Sequence, residues 1–433
     1  MKSRLILCLL FFSCTLQLHA FDPVLAGRLQ KTIDSMLIAK NVKGISAGVY
    51  YPGMGTWKGV SGISHPGVPI DSEMQFAIAS NTKLFTAVLL LKLAENNLLS
   101  IDDSLHEFLP SYNNIDSTIT VRQLLNHTSG LADVTSVPGY PDSIMNNPRR
   151  MYTPAELMTW AGEPTFAPGK GWEYCNTNYL LAGMIAEKVT GQSYGRLLRD
   201  SILTPLNLDS TFLDVFETVP PIIAHPWQAG RDNNATPRIA LNSAAWAAGA
   251  MYSNSSEMLQ WYDALMNGKV INAQSLKEMT TFVGTGRYGL GISEAIVNGM
   301  RVWTHGGQIW GGYNSTMMFD SQTGVIVCVL TNQLPAQAFQ ITAEMMSIVK
   351  TNAVGIDEMQ EQSTIIYPNP TNDIVHITIP NQQILSICLK DQTGKQLQEY
   401  TDTSFSVSHL PQGAYFLHIQ TNQGLHVMKL IKQ

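Results

Sequence analysis

From Thr82 to Ala94 the chain is dominated by Leu, Ala and Lys, with Lys83 and Lys92 as its only charges. The apolar residues are not confined to one face, so the segment reads as a helix covered on most sides. Such a helix needs other elements packed around it, and therefore a domain of some size. The chain can supply one. It has 433 residues, 45% hydrophobic and 14% charged, enough for two or three domains at roughly 150 residues each. With 27 Lys plus Arg against 33 Asp plus Glu, the net charge is −6. That balance lacks the basic excess of a nucleic-acid binder. Collagen, coiled-coil and disulfide-scaffold compositions are equally absent.

The N-terminus has a different character. Lys2 and Arg4 precede an apolar run, Leu5 to Phe12, and Leu18-His19-Ala20 offers a small-residue cleavage site before Phe21. Residues 1–20 are expected to be a signal peptide, and losing its two cations takes the net charge from −6 to −8. No later apolar run reaches the ~20 residues of a membrane span, so the protein is expected to be exported with no transmembrane segment in the mature chain. Cys8 and Cys14 leave with the signal. The remaining Cys175, Cys328 and Cys388 cannot close a disulfide set and lack zinc-ligand spacing, so neither metal nor cofactor is expected. Cys328 and Cys388 lie in apolar strand patterns, as buried thiols.

Residues 21–350 alternate strand and helix patterns. Ile45–Tyr51 and Thr56–Val60 are strand candidates near the start; Met300–Trp303, Tyr313–Phe319 and Val325–Asn332 are strand candidates near the end, before a helix over Ala336–Lys350. A second apolar helix, Asn178–Lys188, stops at Gly191. Strands at both ends with helices between predict one sheet built from distant pieces plus a mostly helical insertion. Residues 351–364 turn polar and aperiodic, as a linker. From 365 to 433, alternation at Val375, Ile377 and Ile379 and turns at Gly394, Pro411-Gln412-Gly413 and Gly424 predict a small all-β sandwich of about seven strands.

Ser80-Asn81-Thr82-Lys83 opens the covered helix. Residues three apart share a helix face, so hydroxyl and amine can meet, and serine needs an adjacent base to act as a nucleophile. A free lysine, with pKa about 10.4, is almost wholly charged at pH 7; burial must bring it near 7, a cost of about 4 kcal/mol. Ser347-Ile348-Val349-Lys350 repeats the spacing beside the linker, as a surface coincidence. Tyr174-Cys175-Asn176 follows the Pro168-Gly169 turn and precedes the second apolar helix, where it can line a cleft, unlike Tyr112-Asn113-Asn114. His305-Gly306-Gly307 directly follows the strand Met300–Trp303, and its glycines allow a close approach.

Taken in that order, the three segments resemble the motifs of the serine β-lactamase and penicillin-binding-protein superfamily, in its class C, D-alanyl-D-alanine carboxypeptidase and esterase branch. Leu124-Leu125-Asn126-His127-Thr128-Ser129-Gly130-Leu131, Phe166-Ala167-Pro168-Gly169 and Tyr288-Gly289-Leu290-Gly291 are similar to further family segments, and the resemblance covers about 25 to 350. It implies an α/β fold: a β-lactamase-like antiparallel sheet flanked by helices, with a helical insertion domain and the site between them. Ser80 is then the nucleophile that forms an acyl-enzyme, and Lys83 and Tyr174 share the proton transfers, either being the base. Asn176 holds Lys83 or the substrate. The backbone N–H groups of Ser80 and Gln308 form the oxyanion hole, and His305, with Gly307 beside it, points into the cleft as a donor. His127 is expected to be a structural hydrogen-bonding residue.

Where efficient β-lactamases of the family carry Lys-Thr-Gly, this chain has His305-Gly306-Gly307, with a weaker charge and no hydroxyl to grip a carboxylate. The expected activity is therefore that of a secreted serine hydrolase on small peptide, amide or ester substrates, with D-alanyl-D-alanine carboxypeptidase the nearest named activity. The alternatives are a β-lactamase or esterase of the same fold and a surface binding protein without turnover. Residues 131–152 and 214–243 are loop-rich and expected to shape the pocket. At the other end, Tyr367-Pro368-Asn369-Pro370, Leu410-Pro411-Gln412-Gly413-Ala414-Tyr415-Phe416 and Lys429-Leu430-Ile431-Lys432 resemble the C-terminal sorting domain of the type IX secretion system. That resemblance implies the secretion machinery as a partner and a destination outside the cell or on its surface.

Overall fold

The computed structural model describes residues 21–217, 222–361, 365–379, 383–392, 394–422 and 425–433; the signal-peptide reading, with Cys8 and Cys14, lies outside them. The N-terminal helix α1 (Pro23–Ala39) is capped by Asp22 and buries Leu25, Leu29 and Ile33 on one face. It lies against a seven-stranded antiparallel sheet formed by β1 (Gly44–Tyr51), β2 (Gly55–His65), β3 (Val68–Pro69), β4 (Ser293–Val297), β5 (Met300–Ile309), β6 (Tyr313–Asp320) and β7 (Ile326–Thr331), in the order β3-β2-β1-β7-β6-β5-β4. Strands from the two ends of the region meet where β1 pairs with β7, Ile45 opposite Thr331 and Tyr50 opposite Ile326. Every residue of β7 is buried, Cys328 included. That explains its unbroken apolar run: both faces of this central strand are covered.

The helical layer lies between β3 and β4 in sequence. Its centre is α2 (Thr82–Glu95), in which every residue from Thr82 to Leu91 is buried. Around it pack α3 (Asn176–Thr190), ended by Gly191 in the left-handed conformation, and α4 (Ile239–Gly249). Gly183 sets the approach of α3 to α4, because a Cβ there would stand 2.7 Å from Ala247 and from the Trp246 ring. α4 breaks at Trp246 (φ 33°, ψ −119°). Two carbonyls beyond the break are taken up by α2, that of Ala247 by the Thr86 hydroxyl at 2.6 Å and that of Ala248 by the Lys83 amine at 2.7 Å.

Three sequence expectations are corrected. β5 does not stop at Trp303 but carries His305, Gly306 and Gly307 inside the strand, paired with Met317, Thr316 and Ser315 of β6. The glycines allow the close approach expected of them, but from within the strand and not after it. The last helix of the region, α5, runs Ala338–Glu361, through much of the segment read as linker; Ala, Met, Glu and Gln there sustain a helix even where the apolar period is lost. Cys388 is only half-buried, since its neighbours Ile387 and Leu389 take the inward positions of their strand.

The chain divides into two compact units near Val349. In the second, seven strands among the described residues form a three-stranded and a four-stranded sheet. Val375 and Ile377 from the first and Ile387, Leu389, Leu417 and Ile419 from the second share one core, which makes the unit a β-sandwich.

Candidate active site

Ser80 lies in a single helical turn, Ala79–Asn81, that leads into α2. The preceding residue, Ala79, has φ 47°, a left-handed conformation costing roughly 1–2 kcal/mol for a residue with a Cβ. Backbone strain of this kind is retained where surrounding contacts fix it. Here they are explicit: Ser315 of β6 donates its hydroxyl to the Ile78 carbonyl at 2.7 Å and accepts from Asn81 Nδ2 at 2.8 Å. β5 closes in from the other side. A Cβ on Gly307 would stand 2.2 Å from the Ile78 carbonyl oxygen and 3.0 Å from the Ser80 nitrogen, so only glycine lets the strand reach the Ser80 backbone. Gln308, the next residue, is exposed and lines the same cleft as Ser80.

Lys83 is fully buried. Its Nζ donates to Asn176 Oδ1 at 2.7 Å and to the Ala248 carbonyl at 2.7 Å, and stands 3.1 Å from Ser80 Oγ. Burial lowers its pKa to about 7, against the opposing charge of Asp133. Asn176 is fixed in turn by Asp133, whose Oδ2 accepts from Asn176 Nδ2 at 2.8 Å. The Tyr174 ring lies 4.9 Å from Lys83 Nζ. Its hydroxyl is buried and makes no well-formed hydrogen bond among the described residues, and burial raises its pKa although the nearby Ser80 hydroxyl opposes the rise. Tyr174 therefore stays a phenol at neutral pH.

His305 is turned elsewhere. Only 4% exposed, it bonds Tyr288 Oη through Nε2 at 2.7 Å and the Gly306 carbonyl through Nδ1 at 2.7 Å. Since a carbonyl only accepts, Nδ1 carries the proton and Nε2 accepts from the tyrosine. Burial, with the Lys83 charge adding, lowers its pKa to about 3. The expectation that His305 points into the cleft as a donor is thus corrected: both ring nitrogens are engaged and the ring is neutral. His127 is fully buried, with Nδ1 accepting from the Cys175 amide at 3.2 Å and from Asn178 Nδ2 at 3.0 Å, a structural position. Cys175 is buried beside it, and burial pushes its thiol up to about 12, so it is no nucleophile at neutral pH.

Ser80 opens onto a cavity of about 160 Å³ whose walls include Tyr140, Leu180, Leu241, Ala244 and Trp310, with Asn176 and Gln308 beside Ser80 and, among the described residues, no charged side chain. Val134, Thr135 and Tyr140 come from the loop-rich stretch 131–152 and Leu241 from 214–243. Sequence reasoning missed Asp133, the Ala248 carbonyl and Ser315; it singled out the segment that begins at Tyr288 but not the bond of Tyr288 to His305. Asp133 follows the Leu124–Leu131 segment closely, which is the one local signal for it; the others act through backbone or buried contacts that leave no motif. Among the described residues no cluster of His, Cys, Asp and Glu could hold a metal ion, and no helix is long and apolar enough to cross a membrane.

Residues 29–347 match the beta-lactamase family, and residues 365–433 match the secretion system C-terminal sorting domain. The chain belongs to the beta-lactamase family of serine hydrolases, amidases and penicillin-binding-protein-like proteins, and it carries a type IX sorting domain. Among solved structures, a D-stereospecific amidohydrolase from Streptomyces sp. is 31% identical, with a TM-score of 0.66 over 74% of this chain and 97% of that one. D-amino acid amidase from Ochrobactrum anthropi SV3, complexed with L-phenylalanine amide, is 26% identical, with a TM-score of 0.68 over 76% and 99%. Protein flp of Staphylococcus aureus (strain MRSA252) is 38% identical over 142 residues, which span 32% of this chain and only 28% of that protein's length.

Proposed function

We propose that the protein is an exported serine amidase that cleaves small amides of apolar D-amino acids, with no carboxylate beside the scissile bond, through an acyl-enzyme on Ser80. The observation that carries the reading is the buried Lys83 amine, 3.1 Å from Ser80 Oγ and with a pKa of about 7. In its neutral form the amine keeps two N–H groups, which Asn176 and the Ala248 carbonyl hold. Its lone pair is left to face Ser80, whose hydroxyl then donates. Lys83 is accordingly the general base, and Tyr174, kept protonated by burial, is a proton donor and relay.

The steps follow from these positions. Ser80 passes its proton to Lys83 as Oγ bonds to the substrate carbonyl carbon. The N–H groups of Ser80 and Gln308 stabilise the resulting oxyanion. The proton then moves, directly or through Tyr174, to the leaving nitrogen; the C–N bond breaks and the amine departs. Water, deprotonated by the same base, hydrolyses the Ser80 ester and releases the carboxylic acid.

The cavity favours a substrate with an apolar side chain, since about 160 Å³ of largely apolar space is of the size that holds a benzene ring. Carboxypeptidase substrates carry a carboxylate next to the scissile bond, and among the described residues no cation lines this cavity to grip it. The D-amino acid amidases among the structural neighbours support the amide and D-configuration choices. The C-terminal sorting domain supports export through the type IX machinery, with the hydrolase domain ending near residue 350. The test is turnover of D-phenylalanine amide, its L enantiomer and D-alanyl-D-alanine. The D-amide is expected to be favoured at least about tenfold over each, as one well-placed contact can discriminate; faster cleavage of the dipeptide would overturn the assignment.

A further inference from the structure

Asn176 serves Lys83 only one way round. Its amide has an acceptor at Oδ1 and a donor at Nδ2, and Oδ1 lies 2.7 Å from the amine. A protonated amine selects Oδ1 by itself. A neutral amine, with two N–H groups and a lone pair, can take either end, and an amide turned over would offer Nδ2 to the lone pair in competition with Ser80. Asp133 makes the choice in both states. Its Oδ2 accepts from Asn176 Nδ2 at 2.8 Å, and a carboxylate has no proton to offer in return.

The carboxylate is itself built into place. Its Oδ1 accepts from the backbone N–H and the hydroxyl of Thr135, both at 2.9 Å, and so caps the helical turn Val134–Ser136. On either side of Asp133, the Thr177 hydroxyl of α3 donates to the Ala132 carbonyl at 2.8 Å and accepts from the Val134 N–H at 2.9 Å. The loop that carries Asp133 is thus bound to the helix end that carries Asn176. A cap needs only Oδ1; Oδ2 is left for Asn176. The other titratable groups around the amine are Tyr174 and Tyr179, with ring centres at 4.9 and 5.5 Å, and Cys175, His127 and His305. Burial keeps all five neutral at pH 7. Among the described residues, Asp133 is the carboxylate that acts on Lys83, and its charge favours the protonated amine.

We propose that Asp133 is a positioning residue: it locks the Asn176 amide with Oδ1 on Lys83, so that the lone pair of the amine is left to Ser80, and its negative charge sets the pH at which that lone pair appears. The inference rests on the amidase reading in taking neutral Lys83 as the base, whereas the hold of Asp133 on Lys83 exists without substrate.

Two variants test it. Asp133→Ser keeps a side-chain cap but removes the charge and the bond to Asn176. Asp133→Asn keeps the size, but with its one oxygen on Thr135 it turns an N–H toward Asn176 Nδ2 and drives that amide over. Each is compared with the parent in the pH dependence of D-phenylalanine amide turnover, and by NMR titration of Lys83 in substrate-free protein labelled with ¹³C at lysine Cε. Without the negative charge the protonated amine is costlier, so in both variants the Lys83 midpoint, and the acid limb of kcat/KM with it, should fall by about one pH unit. Above pH 8 the Asn variant should be about tenfold slower than the parent, the worth of one oriented hydrogen bond, and slower than the Ser variant. A midpoint unmoved in both variants, as a mere cap would leave it, or an Asn variant as fast as the parent above pH 8, overturns the proposal. A fall in the NMR midpoint, in a protein whose parent form turns over no amide, would uphold the hold of Asp133 on Lys83 and refute the amidase reading; amide turnover with an unmoved midpoint would do the opposite.

Discussion

Sequence spacing alone puts Lys83 beside Ser80, and the structure brings its amine to 3.1 Å from the Ser80 hydroxyl. The helix that carries it is buried all round, so the amine loses its hydration and its charge becomes costly. The partners that remain, Asn176 Oδ1 and the Ala248 carbonyl, are neutral acceptors. A pH prediction follows with a definite sign. On the proposed mechanism neutral Lys83 is the base, and with its pKa at about 7 kcat/KM should climb about tenfold per pH unit below 7 and level off above about 8. His305, at about 3, adds no limb in that range. A pH-rate series between 5 and 9 checks this, and a flat profile would contradict it. His305 also shows where residue-level reading fails: a motif gives a residue's place in the chain, whereas its orientation is set by Tyr288 from a distant segment.

At the scale of elements, the buried helices were legible because an apolar run has a period and an end signal such as Gly191. The extent of β5 was not, since glycines inside a strand read as its end. That they allow a close approach was legible; that the approaching backbone is the Ser80 turn, against Gly307, was not. The two glycines should respond differently to substitution. Gly307→Ala would drive its Cβ against Ile78 and Ser80 and push the strand from the nucleophile. It should slow acylation about 100-fold, as loss of an oxyanion donor does, and cost about 1–3 kcal/mol of stability. The nearest atom to a Cβ on Gly306 is 3.7 Å away, so Gly306→Ala should stay within about 0.5 kcal/mol of the parent. Stopped-flow acylation and urea unfolding separate the two variants.

For the whole molecule, the sheet's assembly from both ends of the hydrolase region was legible from the positions of its strands, and the C-terminal sandwich from its alternation. The helical path of residues 351–361 was not, because polar helix formers carry no burial signal. The C-terminal unit has its own core. A chain ending at Glu361 is therefore expected to fold and retain its amidase rate within about twofold, as separate domains do, while losing export. Enzyme assays on the purified truncated chain, with cell fractionation of both forms, measure the two effects.

The central claim is that a covalent bond forms at Ser80. Protein quenched during turnover of a D-phenylalanine ester, digested and examined by mass spectrometry, tests it most directly. The account predicts one acyl adduct, on the peptide containing Ser80, absent from a Ser80→Ala protein that also loses turnover. An adduct on another residue, or a Ser80→Ala protein that still hydrolyses the ester at the parent rate, would contradict it.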